Sequence, residues 1–309
     1  MSIVVLGSSN TDMIIKVPRL PKPGETILGG TFTTAAGGKG ANQAVAAARA
    51  GGQVTFIARV GQDILGEQAI EGFKQDQINV DFVQRDPSAP SGVALIFVDA
   101  TGENSIAVAS GANANLSAAD ISAALARIAS ADILLMQLEI PLETIEFATK
   151  IAADVGTKVL LNPAPAQKLD DQLLQQVSIL TPNESEAELL TEIPVNTIES
   201  AQQAAQMLLA KGPEVVILTL GANGALLVTR ELVEHFSGFP VKAIDTTAAG
   251  DVFNGTLAVA LAENKTLNEA VVFANAAAAL SVTKLGAQPS APRREEIESF
   301  LTTPSNTTV

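Results

Sequence analysis

The chain has 309 residues, nearly half of them apolar (47%), which allows a sizeable core in one large domain or two ordinary ones. With 19 basic against 33 acidic residues the formal charge is −14, and Trp and Tyr are absent, so the surface repels phosphate backbones, lacks a base-stacking platform and excludes nucleic acid as an expected partner. Without Cys and with the single histidine His235, disulfides, thiolate sites, Cys nucleophiles and multi-His metal sites are excluded too; chemistry must rest on carboxylates, Lys, hydroxyls and backbone.

In chain order, Met1–Gly7 is too short an apolar run for a signal peptide and lacks a basic start. No stretch approaches the roughly 20 apolar residues of a membrane helix, and the expectation is a cytoplasmic protein with no membrane partner. Ile3–Leu6 predicts a buried strand. Met13–Val17 and Thr26–Thr33 look like strands with no helix between them. An Ala-rich helix follows over Ala41–Ala50, stopped by Gly51 and Gly52, then a strand at Val54–Ala58. Gly92–Val98 and Ser105–Ser110 flank a turn-rich hairpin connection at Asp99–Asn104. Ser117–Asp120 resembles a capping box opening a helix to about Ser130. Further strands are expected at Ile133–Leu138, Lys158–Leu161 and Val215–Leu220, with helices at Leu142–Asp154, Glu184–Leu190, Ile198–Leu209 and Asp251–Ala262.

This alternation predicts an α/β fold, a parallel sheet with helices on both faces. The two helix-free regions predict a small inserted antiparallel sheet, a lid or an oligomer contact, against the plainer alternative of two surface hairpins. The polar tail from Thr302 onward, with Pro304, is expected to fray.

Four segments could carry chemistry. In Asp245-Thr-Thr-Ala-Ala-Gly-Asp251, small residues leave backbone N–H groups uncovered where a helix begins, a pocket for an anion such as a transferring phosphoryl group. Asp251 in the first turn could orient an attacking hydroxyl and accept its proton, and an Asp-rich helix start remains the plain alternative. Ala35-Ala-Gly-Gly-Lys-Gly-Ala-Asn42 also suggests close backbone approach to a ligand. It is not a Walker A loop, since Gly40 follows Lys39, and it lacks the third Gly of a dinucleotide fingerprint, which disfavours a nicotinamide oxidoreductase. Lys39 and Asn42 offer donors for sugar hydroxyls; a tight strand-to-helix turn is the alternative. Asn183 and Glu186 lie three apart on one helical face, oxygen ligands suited to Mg²⁺, although spacing alone favours an N-cap. Thr219-Leu-Gly-Ala-Asn-Gly224 is a glycine turn at a strand's C-terminal end, the edge where open α/β sheets bind ligands. His235 is expected on a surface segment without a role.

In this order the four motifs resemble the ribokinase family of carbohydrate kinases (the PfkB group), from Gly7-Ser-Ser-Asn-Thr-Asp12 to Gly286-Ala-Gln-Pro-Ser290. Pro23-Gly-Glu25, Val60-Gly-Gln-Asp63 and Asn162-Pro-Ala-Pro165 add to the match, and Gly38–Ala44 and Lys284–Ser290 direct it toward the members that act on ribose. The resemblance implies a body of residues 1–12, 35–91 and 107–309 with a β lid of 13–34 and 92–106. It implies that Asn10, Thr11, Asp12, Gly38, Lys39, Gly40, Ala41, Asn42 and Glu139 bind the sugar beside the base Asp251, with Ala94, Ile96 and Ile106 closing over it. ATP would lie along Asn183, Thr219, Leu220, Gly221, Ala222, Asn223, Gly224 and Asn275, its γ-phosphate at Ala249 and Gly250. Asn275 stands where several relatives carry His. Mg²⁺ would be held through waters oriented by Glu186 and Asn183, and K⁺ by Asp245, Thr247, Ser281, Lys284, Gly286 and Ser290, largely through carbonyls. The implied reaction is ATP plus D-ribose giving D-ribose 5-phosphate and ADP, in a homodimer paired through the lid. Other acceptors (2-deoxyribose, fructose, a nucleoside) and a non-catalytic sugar-binding regulator are the rivals.

Overall fold

The computed structural model describes residues 2–303. The chain opens with β1 (Ile3–Leu6), β2 (Asn10–Lys16) and β3 (Thr31–Gly37), then α1 (Lys39–Arg49), β4 (Val54–Gly61), α2 (Ile64–Gln75) and β5 (Asn79–Asp86). The hairpin β6 (Gly92–Val98) and β7 (Asn104–Ala109) leads to α3 (Ala118–Ala123) and α4 (Leu125–Ala129). Then come β8 (Ile133–Met136), α5 (Leu142–Val155), β9 (Lys158–Leu161), α6 (Asp171–Leu174), β10 (Ile179–Leu180), α7 (Glu184–Thr191) and α8 (Ile198–Ala210). The chain finishes with β11 (Val215–Thr219), β12 (Ala225–Val228), β13 (Val233–Phe236), α9 (Ala249–Ala262), α10 (Leu267–Ser281) and α11 (Arg294–Thr302).

Among the described residues the strands form two sheets. The 9-stranded sheet has the order β13-β12-β11-β10-β9-β8-β1-β4-β5, parallel except where β12 pairs antiparallel with β11 and β13. Its central strands alternate between two cores. Ile3, Val5, Ile133 and Leu135 face α1, α9 and α10, while Val4, Leu6, Leu134 and Met136 face α5 and α8. A strand covered by helices on both faces reads as a continuous apolar run, which is why β1 and β9 were legible. No helix among the described residues is long and apolar enough to cross a membrane.

The core suits a chain poor in aromatics. Helices α1 and α9 meet through Ala and Gly: a Cβ at Gly255 would lie 2.5 Å from the Gln43 carbonyl oxygen and 2.8 Å from the Ala46 Cβ. This close approach carries the start of α9 to the start of α1.

The second sheet is four-stranded, in the order β3-β2-β6-β7. Its register sets Asp12 beside Ala94 and Val108, and Ile14 beside Ile96 and Ile106, so these side chains share one face. The strands run past the expected limits 13–34 and 92–106, taking in Asn10–Asp12, Ala35–Gly37 and Ala107–Ala109. The strand expected at 26–33 begins only at Thr31, because Gly29 and Gly30 adopt φ of 94° and 112°. The helix expected from 118 to about 130 is broken at Ala124 into α3 and α4, although the Ser117–Asp120 capping box is present. Residues 304–309, most of the expected tail, lie outside the described residues.

Candidate active site

Helix α9 begins without a side-chain cap. Ala248 precedes it in the left-handed region (φ 60°), and the N–H groups of Gly250 and Asp251 find no acceptor among the described residues. An α-helix leaves its first N–H groups unpaired in any case, and here Ala and Gly keep them uncovered. A Cβ built on Gly250 would meet nothing within 4 Å, so this glycine borders open space. The space is a cleft of about 160 Å³ whose lining includes Lys39, Asn183, Glu186, Thr219, Ala249, Gly250 and Asp251. Residues from opposite ends of the chain thus converge on one edge of the large sheet.

The Asp251 carboxylate is 5% exposed and receives two hydrogen bonds, from Asn42 Nδ2 to Oδ2 at 2.9 Å and from Gln43 Nε2 to Oδ1 at 3.0 Å. Burial pushes its pKa above the usual carboxylate range; Lys39 and the two amide donors act against that, and Glu139 adds to it. Burial alone would lower the Lys39 ammonium, but Asp251, Glu139 and Glu186 outweigh it and hold the charged form. Asp12 is pushed up to about 6, chiefly by burial and then by Glu139 and Asp251. Three carboxylates, Asp251, Glu139 and Glu186, therefore act on one largely enclosed cation.

Glu139 closes the start of α1: its Oε2 accepts from Lys39 N at 3.0 Å and from Ser8 Oγ at 2.6 Å, and Ser8 Oγ accepts from Gly40 N at 3.3 Å. A carboxylate here also suits the helix dipole. Gly38 needs its positive φ of 88°, and a Cβ on it would meet the Asn10 nitrogen at 2.6 Å; the motif is a close crossing of β2 and α1. Ala41 is fully buried beneath that crossing. Asn10 Oδ1 accepts from Asn113 Nδ2 at 2.8 Å. Asn42 Oδ1, beside Asp251, is a buried acceptor with no partner. Ala94 is buried, whereas Ile106 on the edge strand is 56% exposed.

Asn183 is the N-cap of α7 and forms a reciprocal capping box with Glu186: Glu186 N donates to Asn183 Oδ1 at 2.8 Å, and Asn183 N to Glu186 Oε2 at 2.9 Å. The cap read from the spacing is present, and both residues also line the cleft. Burial pushes Glu186 up, opposed by the Asn183 N–H and Lys39. Gly221–Asn223 form a tight turn after Leu220, with Gly221 at φ 53° and Gly224 at φ 91°. His235 contacts it: its Nε2 lies 2.8 Å from the Asn223 carbonyl oxygen, so the residue expected to be idle braces the turn from β13. Asn275 in α10 is buried with its Nδ2 unpaired.

Asp245 accepts from Thr247 N at 2.9 Å and from Gly286 N at 2.8 Å, and Ile244 N donates to the Val282 carbonyl at 2.7 Å. The segments expected to hold a monovalent cation are therefore laced together. The Ser281 and Ser290 hydroxyls donate to carbonyls three residues back and keep their oxygen lone pairs, while the Ser281 carbonyl already accepts from Lys284 N at 3.0 Å; the Lys284 side chain pairs with Glu296. Among the described residues no group of three or more His, Cys, Asp or Glu is arranged to hold a metal ion.

Several site residues escaped the sequence reading: Gln43, Ser8, Asn113, Thr181 and Asn254. Gln43 had a usable signal, since positions 39, 42 and 43 share one helical face.

Residues 1–294 match the model of the family described as pfkB family carbohydrate kinase. The chain is 49% identical over 300 residues to a ribokinase of Haemophilus influenzae, covering 97% of this chain and 98% of that protein. It is 40% identical over 302 residues to a deoxyribokinase of Salmonella typhi, covering 97% of this chain and 99% of that one. Among solved structures it resembles a ribokinase of Arabidopsis thaliana complexed with ribose and ATP, with a TM-score of 0.92 and 35% identity over 98% of this chain and 99% of that one.

Proposed function

The chain belongs to the pfkB family of carbohydrate kinases, and from that premise we propose that it transfers the γ-phosphoryl group of ATP to the 5-hydroxyl of D-ribose, giving D-ribose 5-phosphate and ADP. The observation that carries the reading is the buried Asp251 carboxylate beside the unpaired N–H groups that open α9. The sugar oxygen attacks the γ-phosphorus, its proton passes to Asp251, and the bond to the β–γ bridging oxygen breaks, releasing ADP. The amides of Gly250 and Asp251 and the Lys39 ammonium stabilise the phosphoryl oxygens. Phosphoryl transfer asks mainly for this positioning and charge.

Asn10, Thr11, Asp12, Lys39, Asn42 and Glu139, with the backbone of Gly38, Gly40 and Ala41, form the sugar's polar wall. The unpaired Asn42 Oδ1 suits a hydroxyl donor. Ala94, Ile96 and Ile106 form its apolar cover. The nucleotide lies along Asn183, Thr219 and the turn 220–224, with the free Asn275 amide as a further donor. Mg²⁺ would be carried by the phosphates and waters, with Glu186 and Asn183 on the cleft wall orienting those waters. Bound there, it supplies charge neutralisation on the phosphates. A K⁺ among the oxygens of Asp245, Thr247, Ser281, Lys284, Gly286 and Ser290 would steady the loop before α9.

The deciding assay is ADP release with ribose, 2-deoxyribose and fructose, each with and without K⁺. Ribose gives the highest kcat/KM; no sugar-dependent ADP from any of them refutes the reading. A preference for 2-deoxyribose would instead align the chain with its deoxyribokinase relative.

Asp12 adds a pH signature. Its carboxylate, raised to about 6, accepts hydroxyl hydrogens best when ionised, so sugar binding favours the deprotonated form and weakens as pH falls through that value. Calorimetric Kd values for ribose on either side of it test this. Asp12→Asn flattens the dependence, and a Kd in the parent protein that ignores pH would remove Asp12 from the sugar contacts.

The small sheet exposes Ile106 (56%) and Val108 (53%) on the face that carries Asp12, and Phe32 (62%) and Leu95 (48%) on the other, apolar area that a second copy of the chain clasping the sheet would cover. Light scattering is expected to return the mass of a dimer, and Leu95→Lys with Val108→Lys to return a monomer. A monomeric parent protein would dispose of the pairing.

A further inference from the structure

Gln43 lies one turn beyond Lys39 in α1, is wholly buried, and does not line the cleft. Its amide is nevertheless fully committed. Nε2 donates to Asp251 Oδ1 at 3.0 Å and to Asn162 Oδ1 at 3.1 Å, while Oε1 accepts from Gln137 Nε2 at 2.6 Å. A planar amide held by three partners cannot turn, so its donor face toward Asp251 is fixed. Asn42, slightly less enclosed at 7% exposure, donates to the other carboxylate oxygen, Oδ2.

The bonds continue beyond Gln43. Asn162 Nδ2 donates to the Thr181 carbonyl at 3.0 Å, Thr181 Oγ1 to Asn254 Oδ1 at 2.5 Å, and Asn254 Nδ2 to the Gly250 carbonyl at 2.8 Å. That last carbonyl belongs to the peptide whose N–H is the Asp251 donor at the head of α9. A run of side-chain amides, joined through the carbonyl and hydroxyl of Thr181, therefore starts at the carboxylate and returns to the same residue's main chain.

We propose that Gln43 is a positioning residue for phosphoryl transfer: it pins Oδ1 of Asp251 on the buried side, so that Oδ2 is the oxygen presented to the acceptor hydroxyl, and through Asn162, Thr181 and Asn254 it couples that orientation to the anion cradle. The inference rests on Asp251 being the base. Lys39 from α1, Glu139 after β8, Asp12 on β2 and Glu186 on α7 also act on this carboxylate. All four remain when Gln43 is replaced, so a titration change in the variant reports the lost hydrogen bond.

The test is Gln43→Met in the full chain, with kcat against pH at saturating ATP and ribose, both KM values, and thermal melting. A hydrogen bond to a charged group gone, kcat falls about 10- to 100-fold while both KM values hold. The acid limb of the profile moves to higher pH, because a donor that favours the ionised carboxylate is missing. Gln137→Met keeps both bonds to Asp251 but frees the Gln43 amide to rotate; it gives a smaller displacement in the same direction and adds nothing on the Gln43→Met background. If Gln43→Met does not fold, Gln137→Met decides alone. An acid limb unmoved in the folded variants, with loss of melting temperature only, overturns the proposal. Asp251→Asn separates the two readings: if it retains turnover the base assignment falls, and if it is inactive while the limb stays put, only the Gln43 inference falls.

Discussion

Asp251→Asn lowers kcat by about 10²- to 10⁴-fold, the range general-base groups contribute, with ATP and ribose binding nearly intact. The chain can house the substitution. Both carboxylate oxygens face amide donors, so the new NH₂ would oppose one of them. Gln43 is locked by Asn162 and Gln137, but Asn42 has a free side: its Oδ1 is buried without a partner, and a half-turn of that amide points it at the incoming NH₂. Removing a buried charge also relieves the desolvation that raises this group's pKa, so melting temperature does not drop. Steady-state kinetics beside ATP and ribose Kd values measure this; a near-parental kcat would leave the protein with another base.

Gly250→Val should be nearly as damaging to activity and almost silent in stability. The new side chain projects from the first turn of α9 into the cleft, where a Cβ finds no neighbour within 4 Å. The fold loses nothing, but the branched side chain fills the volume in which phosphoryl oxygens meet the amides. Removing such preorganised donors costs about 10²- to 10³-fold in turnover, and here kcat/KM for ATP falls with it while ribose Kd and melting temperature hold. Gly255, on the same helix, is the opposite case. Its missing Cβ makes room for the Gln43 carbonyl, so that glycine serves packing where Gly250 serves the ligand. A Gly250→Val enzyme with parental kcat/KM for ATP would mean the phosphoryl group binds elsewhere.

The sequence disclosed what local chemistry dictates. Apolar runs marked β1 and β9, the Ser117 capping box marked the start of α3, and bare small residues before Asp251 marked the head of α9. It was silent where the signal is not periodic. Helix α10 is apolar on nearly every side because it sits between α9, α11 and the sheet, so it shows no amphipathic stripe. Helix α2 carries Gly66 and Gly72, which weaken a helical pattern. In the site, the residue types were visible and their partners were not. Gln43 and Asp251 are separated by 208 positions, and only the close packing of α1 on α9 makes their contact. The spacing of Asn183 and Glu186 was compatible with a cap or with Mg²⁺ ligation; the fold shows the cap and sets both residues on the cleft lining.

The two sheets divide the labour of the site. Asp251 and the amides at the head of α9 are anchored in the large sheet and its packed helices, whereas Asn10, Asp12, Ala94 and Ile96 stand on strands of the small one. On the proposed reading, the apolar cover and part of the polar wall for the acceptor thus stand on a different piece of architecture from bond-making, while Lys39, Asn42 and Glu139 stay with the large sheet. Residue changes along β2 and β6 can retune which alcohol is admitted without disturbing the α1–α9 junction, so one reaction centre can be passed among different sugars at little structural cost.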